Sequence, residues 1–423
     1  MSRIAIVGTG YVGLTTGACF AHLGHEVVCA DIDRSKIERL QQGEIPIVEP
    51  GLQNIVADAM RAGRLRFVLG AANAVADSEF VYLCVPTPQG SDDRADLSFL
   101  QSAASEIAPV LALEAIVVNK STVPVGSTKV VERVLQRPDV FVVSNPEFLR
   151  EGSAVHDFLH PDRIVIGSDN QAAAIRVASL YLGIAAPLII TDPASAETIK
   201  YAANAFLATK ISFVNAVAAV CEAVGADVND VVLGIGLDKR IGQEFLKPGP
   251  GWGGSCFPKD TRAMVRIAED AGYDFDLLRG VIEVNDQQLR RTAGKIASAA
   301  GGSLQGVTVA VWGLTFKANT DDRRESPSLV IVKLLLEQGA TVAAYDPTVT
   351  SALDGFELAA DPYAACEGAS VLAVLTEWDE FRWLDFEKVR SLMANPAVVD
   401  ARNLLDRNAL TRLGFSYQGI GRS

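Results

Sequence analysis

The sequence predicts an α/β protein in which two Rossmann-like, doubly wound domains are joined by a long central helix and a helical middle domain. Three observations carry that expectation. A glycine-rich turn sits between a strand and a helix at the start of the chain. Residues 195–225 are alanine-rich and nearly uncharged. A second strand–helix–strand pattern from about residue 307 repeats the first.

The elements follow in order. Arg3 to Val7 reads as a short buried strand, followed by Gly8-Thr-Gly-Tyr-Val-Gly13 and a helix to about His22. Gly24 stops that helix, and Glu26 to Ala30 is a second strand ending at Asp31. Apolar strands recur at 80–85, 115–119, 140–144 and 163–167 with helical patterns between them, the rhythm of a parallel doubly wound sheet. From about Ser195 to Gly225 only Glu197, Lys200, Lys210 and Glu222 are charged, which predicts one long, mostly buried helix that also lines a subunit interface. More helix follows to about Ala300, interrupted by the glycine-rich Lys247-Pro-Gly-Pro-Gly-Trp-Gly-Gly-Ser-Cys256. After a linker at Gly301-Gly302-Ser303, a strand ends at Trp312, a helix covers 326–338, and a strand over 340–345 ends at Asp346. Gly339 precedes Asp346 by the same interval as Gly24 precedes Asp31, but the glycine triplet is missing from the second copy. The implied domains are 1–195, 196–302 and 303–423.

The chain has 423 residues, 49% hydrophobic and 21% charged, enough for about three domains with large cores. A net charge of −13 argues against nucleic-acid binding and against a basic membrane-surface protein. The longest apolar stretches contain glycines and fall short of the roughly 20 residues that span a bilayer, so no membrane association is expected. Six scattered cysteines with no C-x-x-C pair suit a reducing cytoplasm. His156 and His160 are spaced like ligands on a helix but lack a third, so no metal is expected.

Gly8, Gly10 and Gly13 form G-x-G-x-x-G, which allows a tight turn, close approach of a pyrophosphate and helix-on-strand packing. Asp31 lies 23 residues after Gly8, where a carboxylate accepts bonds from an adenosine ribose and repels a 2′-phosphate, favouring NAD. Val85-Pro-Thr-Pro88, Ser121-Thr-Val-Pro-Val-Gly126 and Asn145-Pro-Glu-Phe-Leu-Arg-Glu151 each follow a strand, at the end of the sheet where ligands bind. Glu147 and Glu151 share one face if their segment is helical. Lys200 and Asn204 are one turn apart on an apolar helix, where a buried lysine either snorkels out or serves a site, and together they can stabilise an oxyanion. Pro258 fits the first turn of another helix. Cys256 then stands at its N-terminus, where the dipole favours thiolate, with Asp260 a turn later as base or water orienter. The glycines beside Cys256 favour close approach of a ligand, whereas the other five cysteines read as core.

Together these residues resemble the UDP-glucose/GDP-mannose dehydrogenase family, over nearly the whole chain. The resemblance rests on GTGYVG at Gly8, STVPVGST at Ser121, NPEFLREG at Asn145 and ETIKYAANAFLATKISFVNA at Glu197. It continues through RIGQEFLKPGPGWGGSCFPKD at Arg240 and GLTFKANTDDRRESPS at Gly313. The segment from Asn145 to Gly167 is similar to the UDP-glucose branch, and Trp252 stands where the family more often has phenylalanine or tyrosine. The resemblance implies oxidation of a sugar C6 alcohol to a carboxylate with two NAD and one water. Cys256 would carry a thiohemiacetal and then a thioester. Lys200 and Asn204 would steady oxyanions, Asp260 would act as base or water orienter, and Thr122 and Glu147 would hold a water for proton transfer. Tyr11, Val12, Lys36, Thr87, Thr122, Glu151 and Arg324 would complete the NAD site. Phe148, Leu149, Glu151, Lys247, Gly253, Lys317 and Arg402 would hold the sugar nucleotide, with Arg240 reaching in from a second subunit of a homodimer or higher homo-oligomer.

Other nucleotide sugars, such as TDP-glucose, UDP-N-acetylmannosamine or GDP-mannose, fit the same chemistry. A one-step hydroxyacid dehydrogenase needs neither the cysteine nor the second Rossmann-like domain. A non-catalytic NAD-binding regulator would tolerate loss of the Cys256, Lys200 and Asp260 set.

Overall fold

Alternation along β1 (Arg3–Val7) sets the layers of the first domain. Ile4 and Ile6 pack with Leu14 and Phe20 on one face of the sheet, while Ala5 and Val7 pack with Leu83 and Val117 on the other. A strand buried on both faces is what a covered parallel sheet requires. The remaining strands are β2 (Glu26–Asp31), β3 (Leu65–Leu69), β4 (Phe80–Leu83), β5 (Ile116–Asn119), β6 (Phe141–Ser144), β7 (Ile164–Gly167) and β8 (Leu188–Thr191). Their order is β3-β2-β1-β4-β5-β6-β7-β8. The computed structural model describes residues 1–90, 94–351 and 354–422. The chain divides into two compact units, Met1–Ala203 with Arg262–Ala271, and Asn204–Thr261 with Gly272–Ser423.

The expected sheet is parallel only as far as β6. β7 meets β6 antiparallel at a single pair, Ser144 with Gly167, and β8 runs parallel to β7. The chain after β6 continues as a loop and the short helix Ala154–Leu159. β7 reaches β6 only at its own last residue. Two strands of this sheet escape the sequence pattern. β3 and β8 are brief, and β8 is exposed along Leu188, Ile189 and Ile190.

The second unit repeats the design with β9 (Thr308–Trp312), β10 (Thr341–Tyr345), β11 (Glu357–Leu358), β12 (Val371–Val374), β13 (Ala397–Asp400) and β14 (Ser416–Gly419). Their order is β11-β10-β9-β12-β13-β14, all parallel. Val309 and Val311 face one core, Ala310 and Trp312 the other. The repeat extends to the turn. Gly8 N–H donates to Ala30 O at 2.8 Å, and Gly313 N–H donates to Tyr345 O at the same distance. Asp31 and Asp346 are thus equivalent.

The helix Pro193–Val224 starts in the first unit and ends in the second. By length and composition it is able to cross a membrane, against the expectation that no stretch was long enough; 33% of its most apolar window is buried in the protein. Its polar side chains Glu197, Lys200, Asn204, Ser212 and Asn215 are buried and hydrogen-bonded within the protein.

Candidate active site

The nucleotide loop tests each glycine separately. Gly8 has φ +98°, and a Cβ there would stand 2.5 Å from the Cys84 carbonyl oxygen; one on Gly13 would fall 1.9 Å from the Gly8 carbonyl oxygen. The protein's own packing demands both. Gly10 has φ −69°, and its Cβ would meet nothing within 4 Å, so glycine there is not required by the protein and suits the approach of a dinucleotide. Tyr11 and Val12 open the following helix. At the end of β2, Asp31 Oδ2 accepts from Thr9 N–H (2.9 Å), Thr9 Oγ1 (2.6 Å) and Lys36 Nζ (3.1 Å), while among the described residues Oδ1 accepts only from Asp33 N–H (3.1 Å). Burial pushes this carboxyl up, but the bonds from Thr9, Asp33 and Lys36 outweigh it and hold it below its usual range. Oδ1 keeps acceptor capacity for a ribose hydroxyl.

Asp346 shows what the same position becomes without a glycine triplet. Its Oδ2 accepts from Leu314 N–H, Thr315 N–H and the Trp378 indole at 2.8, 3.1 and 3.1 Å, and it is 2% exposed. The second copy is sealed where the first is open.

The loops after β4, β5 and β6 bring other expected residues together. Thr87 Oγ1 donates to Thr122 O at 2.8 Å, and both are buried. Glu147 and Glu151 do not share a helical face, because 145–150 is irregular and Pro146 keeps Asn145 out of the helical region. Instead Glu147 Oε2 accepts from Leu149 N–H (2.6 Å) and Oε1 accepts from Lys200 Nζ (2.9 Å), with both side chains buried. Lys200 does not snorkel. Its Nζ also lies 5.5 Å from the Phe148 ring centroid, and the Arg163 guanidinium stacks on that ring at 3.6 Å. Beside Glu151, Gly152 N–H donates to the Tyr11 hydroxyl (2.6 Å) and to Glu49 (2.8 Å), tying this loop to the nucleotide loop.

In the second unit, Asn204 Nδ2 donates to Asp260 Oδ2 at 2.6 Å and Lys259 Nζ to Oδ1 at 2.5 Å, with Asp260 fully buried. Cys256 immediately precedes the helix Phe257–Asp270, its carbonyl accepting from Asp260 N–H (2.9 Å) and its Sγ standing 3.6 Å from Ser255 Oγ. It is partly exposed, whereas the other five cysteines are buried. Gly253 and Gly254 are glycines for the protein's sake rather than a ligand's: added Cβ atoms would stand 2.0 Å from Glu325 O and 2.8 Å from the Phe316 ring. Trp252 is turned inward, its indole N–H donating to Ser212 Oγ at 2.9 Å. Asn215, Asn285 and Gln288 staple the loop from 249 to 252. Arg402 is held by the carbonyls of Leu375 (2.8 Å) and Phe316 (3.1 Å), beside Gly249, while Lys317 follows Phe316. Three expected residues are not gathered in. Lys247 is exposed, and Arg240 and Arg324 each chelate an aspartate two residues back, Asp238 and Asp322.

Sequence reasoning missed Glu49, Lys120, Arg163, Glu197 and Lys259. Only Lys259, beside Asp260, carried a local signal; the others meet partners 15 or more residues away in sequence.

A dinucleotide loop, buried lysine–carboxylate and amide–carboxylate pairs, a helix-start cysteine and a second Rossmann-like domain define a multidomain dehydrogenase. The chain belongs to the UDP-glucose/GDP-mannose dehydrogenase family: residues 2–185 match its NAD binding domain, 194–287 its central domain and 310–407 its UDP binding domain. It is 48% identical to a UDP-glucose 6-dehydrogenase of Rhizobium meliloti, covering 99% of each chain. It is 47% identical to one of Bacillus subtilis, covering 100% of this chain and 94% of that one. Among solved structures it resembles a UDP-glucose dehydrogenase of Pyrobaculum islandicum at TM-score 0.93 and 38% identity, over 100% and 98% of the two chains.

Proposed function

We propose that this chain oxidises UDP-glucose to UDP-glucuronate, a four-electron reaction using two NAD and one water, with Cys256 as nucleophile. The observation that carries this reading is the pairing of each candidate polar group on the central helix with its own buried carboxylate, Lys200 with Glu147 and Asn204 with Asp260. Gly8, Gly10, Tyr11, Val12, Gly13, Asp31, Lys36, Thr87 and Thr122 hold NAD, with Glu151 and Arg324 at its edges. Bound NAD supplies the hydride acceptor for both oxidations. Glu147, with Thr122, orients water and takes the proton from the C6 hydroxyl. Lys200 and Asn204 donate to the oxygen as negative charge develops on it. Cys256 Sγ adds to the C6 aldehyde, and the resulting thiohemiacetal is oxidised to a thioester. Asp260 orients the water that hydrolyses it. Phe148, Leu149, Lys247, Gly253, Lys317 and Arg402 position the sugar nucleotide.

On this reading residues 1–195 bind NAD, 196–302 form the dimerisation domain and 303–423 bind the UDP-sugar. A second copy covers Phe206, Phe213, Val220 and Val224, which form one stripe along the central helix and are 65, 55, 60 and 70% exposed. Its Arg240 completes the site. The test is NADH released per UDP-glucose consumed. Two supports the proposal, one indicates a single-step dehydrogenase, and none indicates a non-catalytic binder. Initial rates with TDP-glucose, UDP-N-acetylmannosamine and GDP-mannose separate the nucleotide sugars.

A further inference from the structure

Lys120 is a buried ammonium that the mechanism above leaves unused. It follows β5 and precedes Ser121 and Thr122, and it is 5% exposed. Removing an ammonium from water is expensive, so a buried lysine ordinarily meets a carboxylate. Among the described residues Lys120 meets none. Its Nζ donates to Asn145 Oδ1 (3.2 Å) and the Tyr181 hydroxyl (3.3 Å), and lies 6.0 and 5.8 Å from the ring centroids of Phe158 and Tyr181.

Asn145 is pinned around that contact by its backbone N–H and both ends of its amide. Its N–H donates to Asn119 O (2.9 Å) and its Nδ2 to Val165 O (2.8 Å), while Oδ1 also accepts from Tyr181 (2.6 Å). Across Pro146, Glu147 receives Lys200. Lys120, Asn145, Glu147 and Lys200 are 5, 1, 4 and 4% exposed. Lys120, through Asn145, and Lys200, through Glu147, therefore hold the two ends of one buried segment, where charges are weakly screened and the buried Cys84 thiol feels both Lys120 and Glu147.

We propose that Lys120 is a positioning residue: its ammonium clamps Asn145 so that Glu147 is presented to Lys200, and its unmatched charge biases that pair towards a developing oxyanion. The proposal rests on the assignment of Glu147 and Lys200 to the chemistry.

The experiment compares full-length Lys120→Met, Asn145→Asp and Glu147→Gln with the unaltered enzyme, measuring kcat, KM for UDP-glucose and NAD, and the pH dependence of kcat. Lys120→Met is expected to lower kcat about tenfold or more, to leave both KM values within about threefold, and to move the acid limb of the profile to higher pH, because removing a buried cation eases protonation of its neighbours. If Lys120→Met does not fold, Asn145→Asp cancels the charge in place and should move the acid limb the same way. An unmoved limb in the folded variant overturns the proposal, as does a loss confined to KM. A crippled Glu147→Gln beside an unaltered Lys120→Met overturns this proposal alone; wild-type kcat in Glu147→Gln overturns the Glu147 assignment and this proposal with it.

Discussion

Lys200 and Glu147, 53 residues apart in sequence, meet at 2.9 Å with neither side chain more than 5% exposed. Each would be costly alone, so removing one strands the other. Glu147→Gln should lower kcat about 10²- to 10⁴-fold, the range of a positioned acid–base group, with a smaller effect on the KM for UDP-glucose. Steady-state kinetics check this, and a loss expressed only in KM would contradict it.

Asp31 and Lys36 predict cofactor choice. The enzyme should prefer NAD, because an anion at Asp31 repels a 2′-phosphate. Asp31→Ala leaves the Lys36 ammonium, now 3.1 Å from Asp31, to meet that phosphate. The ratio of kcat/KM for NADP over NAD should rise at least about tenfold. An unchanged ratio would place the ribose elsewhere.

Glu197 predicts a pH effect on stability. Its carboxylate accepts from Gly126 N–H (2.6 Å), Thr128 N–H (3.0 Å) and Thr128 Oγ1 (2.8 Å), yet burial outweighs these bonds and raises it above its usual 4.5. A raised acid costs the folded state stability as pH climbs past 4.5. Glu197→Gln turns an amide N–H₂ towards one donor and should cost about 1–3 kcal/mol. The wild-type advantage in Tm should widen as pH falls towards 4.5. An advantage that narrows over that interval would reverse the assigned shift.

The residues legible in sequence were those set by local rules. Gly8, Gly13 and Asp31 follow from a strand–turn–helix–strand unit, and Cys256 from its place before Pro258. The reversal of β7 was not legible, because strand direction is set by tertiary pairing that an apolar run does not encode. Neither was the direction of the glycines at 253 and 254, which answer to Glu325 and Phe316 some 60 to 70 residues later. Glu49 and Lys120 were hidden for the same reason.

The exposed stripe predicts self-association. Phe213→Asp puts a charge in the middle of it and, on the proposed assembly, should convert a dimer to a monomer with reduced activity, because Arg240 would then have no neighbouring site to reach. Sedimentation velocity with a parallel assay tests this; unchanged sedimentation would exclude the stripe as the contact.

The central claim is that Cys256 carries the sugar. Burial pushes the thiols of Cys19, Cys84 and Cys366 up to about 12 and that of Cys29 higher still, and Cys221 is buried out of reach of a reagent, leaving partly exposed Cys256 as the site that iodoacetamide should label. The most direct measurement is intact mass of Cys256→Ser after incubation with UDP-glucose and NAD. An oxygen ester hydrolyses more slowly than a thioester, so the account predicts an accumulated enzyme–sugar-nucleotide adduct on the introduced serine and almost no steady-state turnover. Wild-type turnover of Cys256→Ser to the acid, with no adduct, would contradict it.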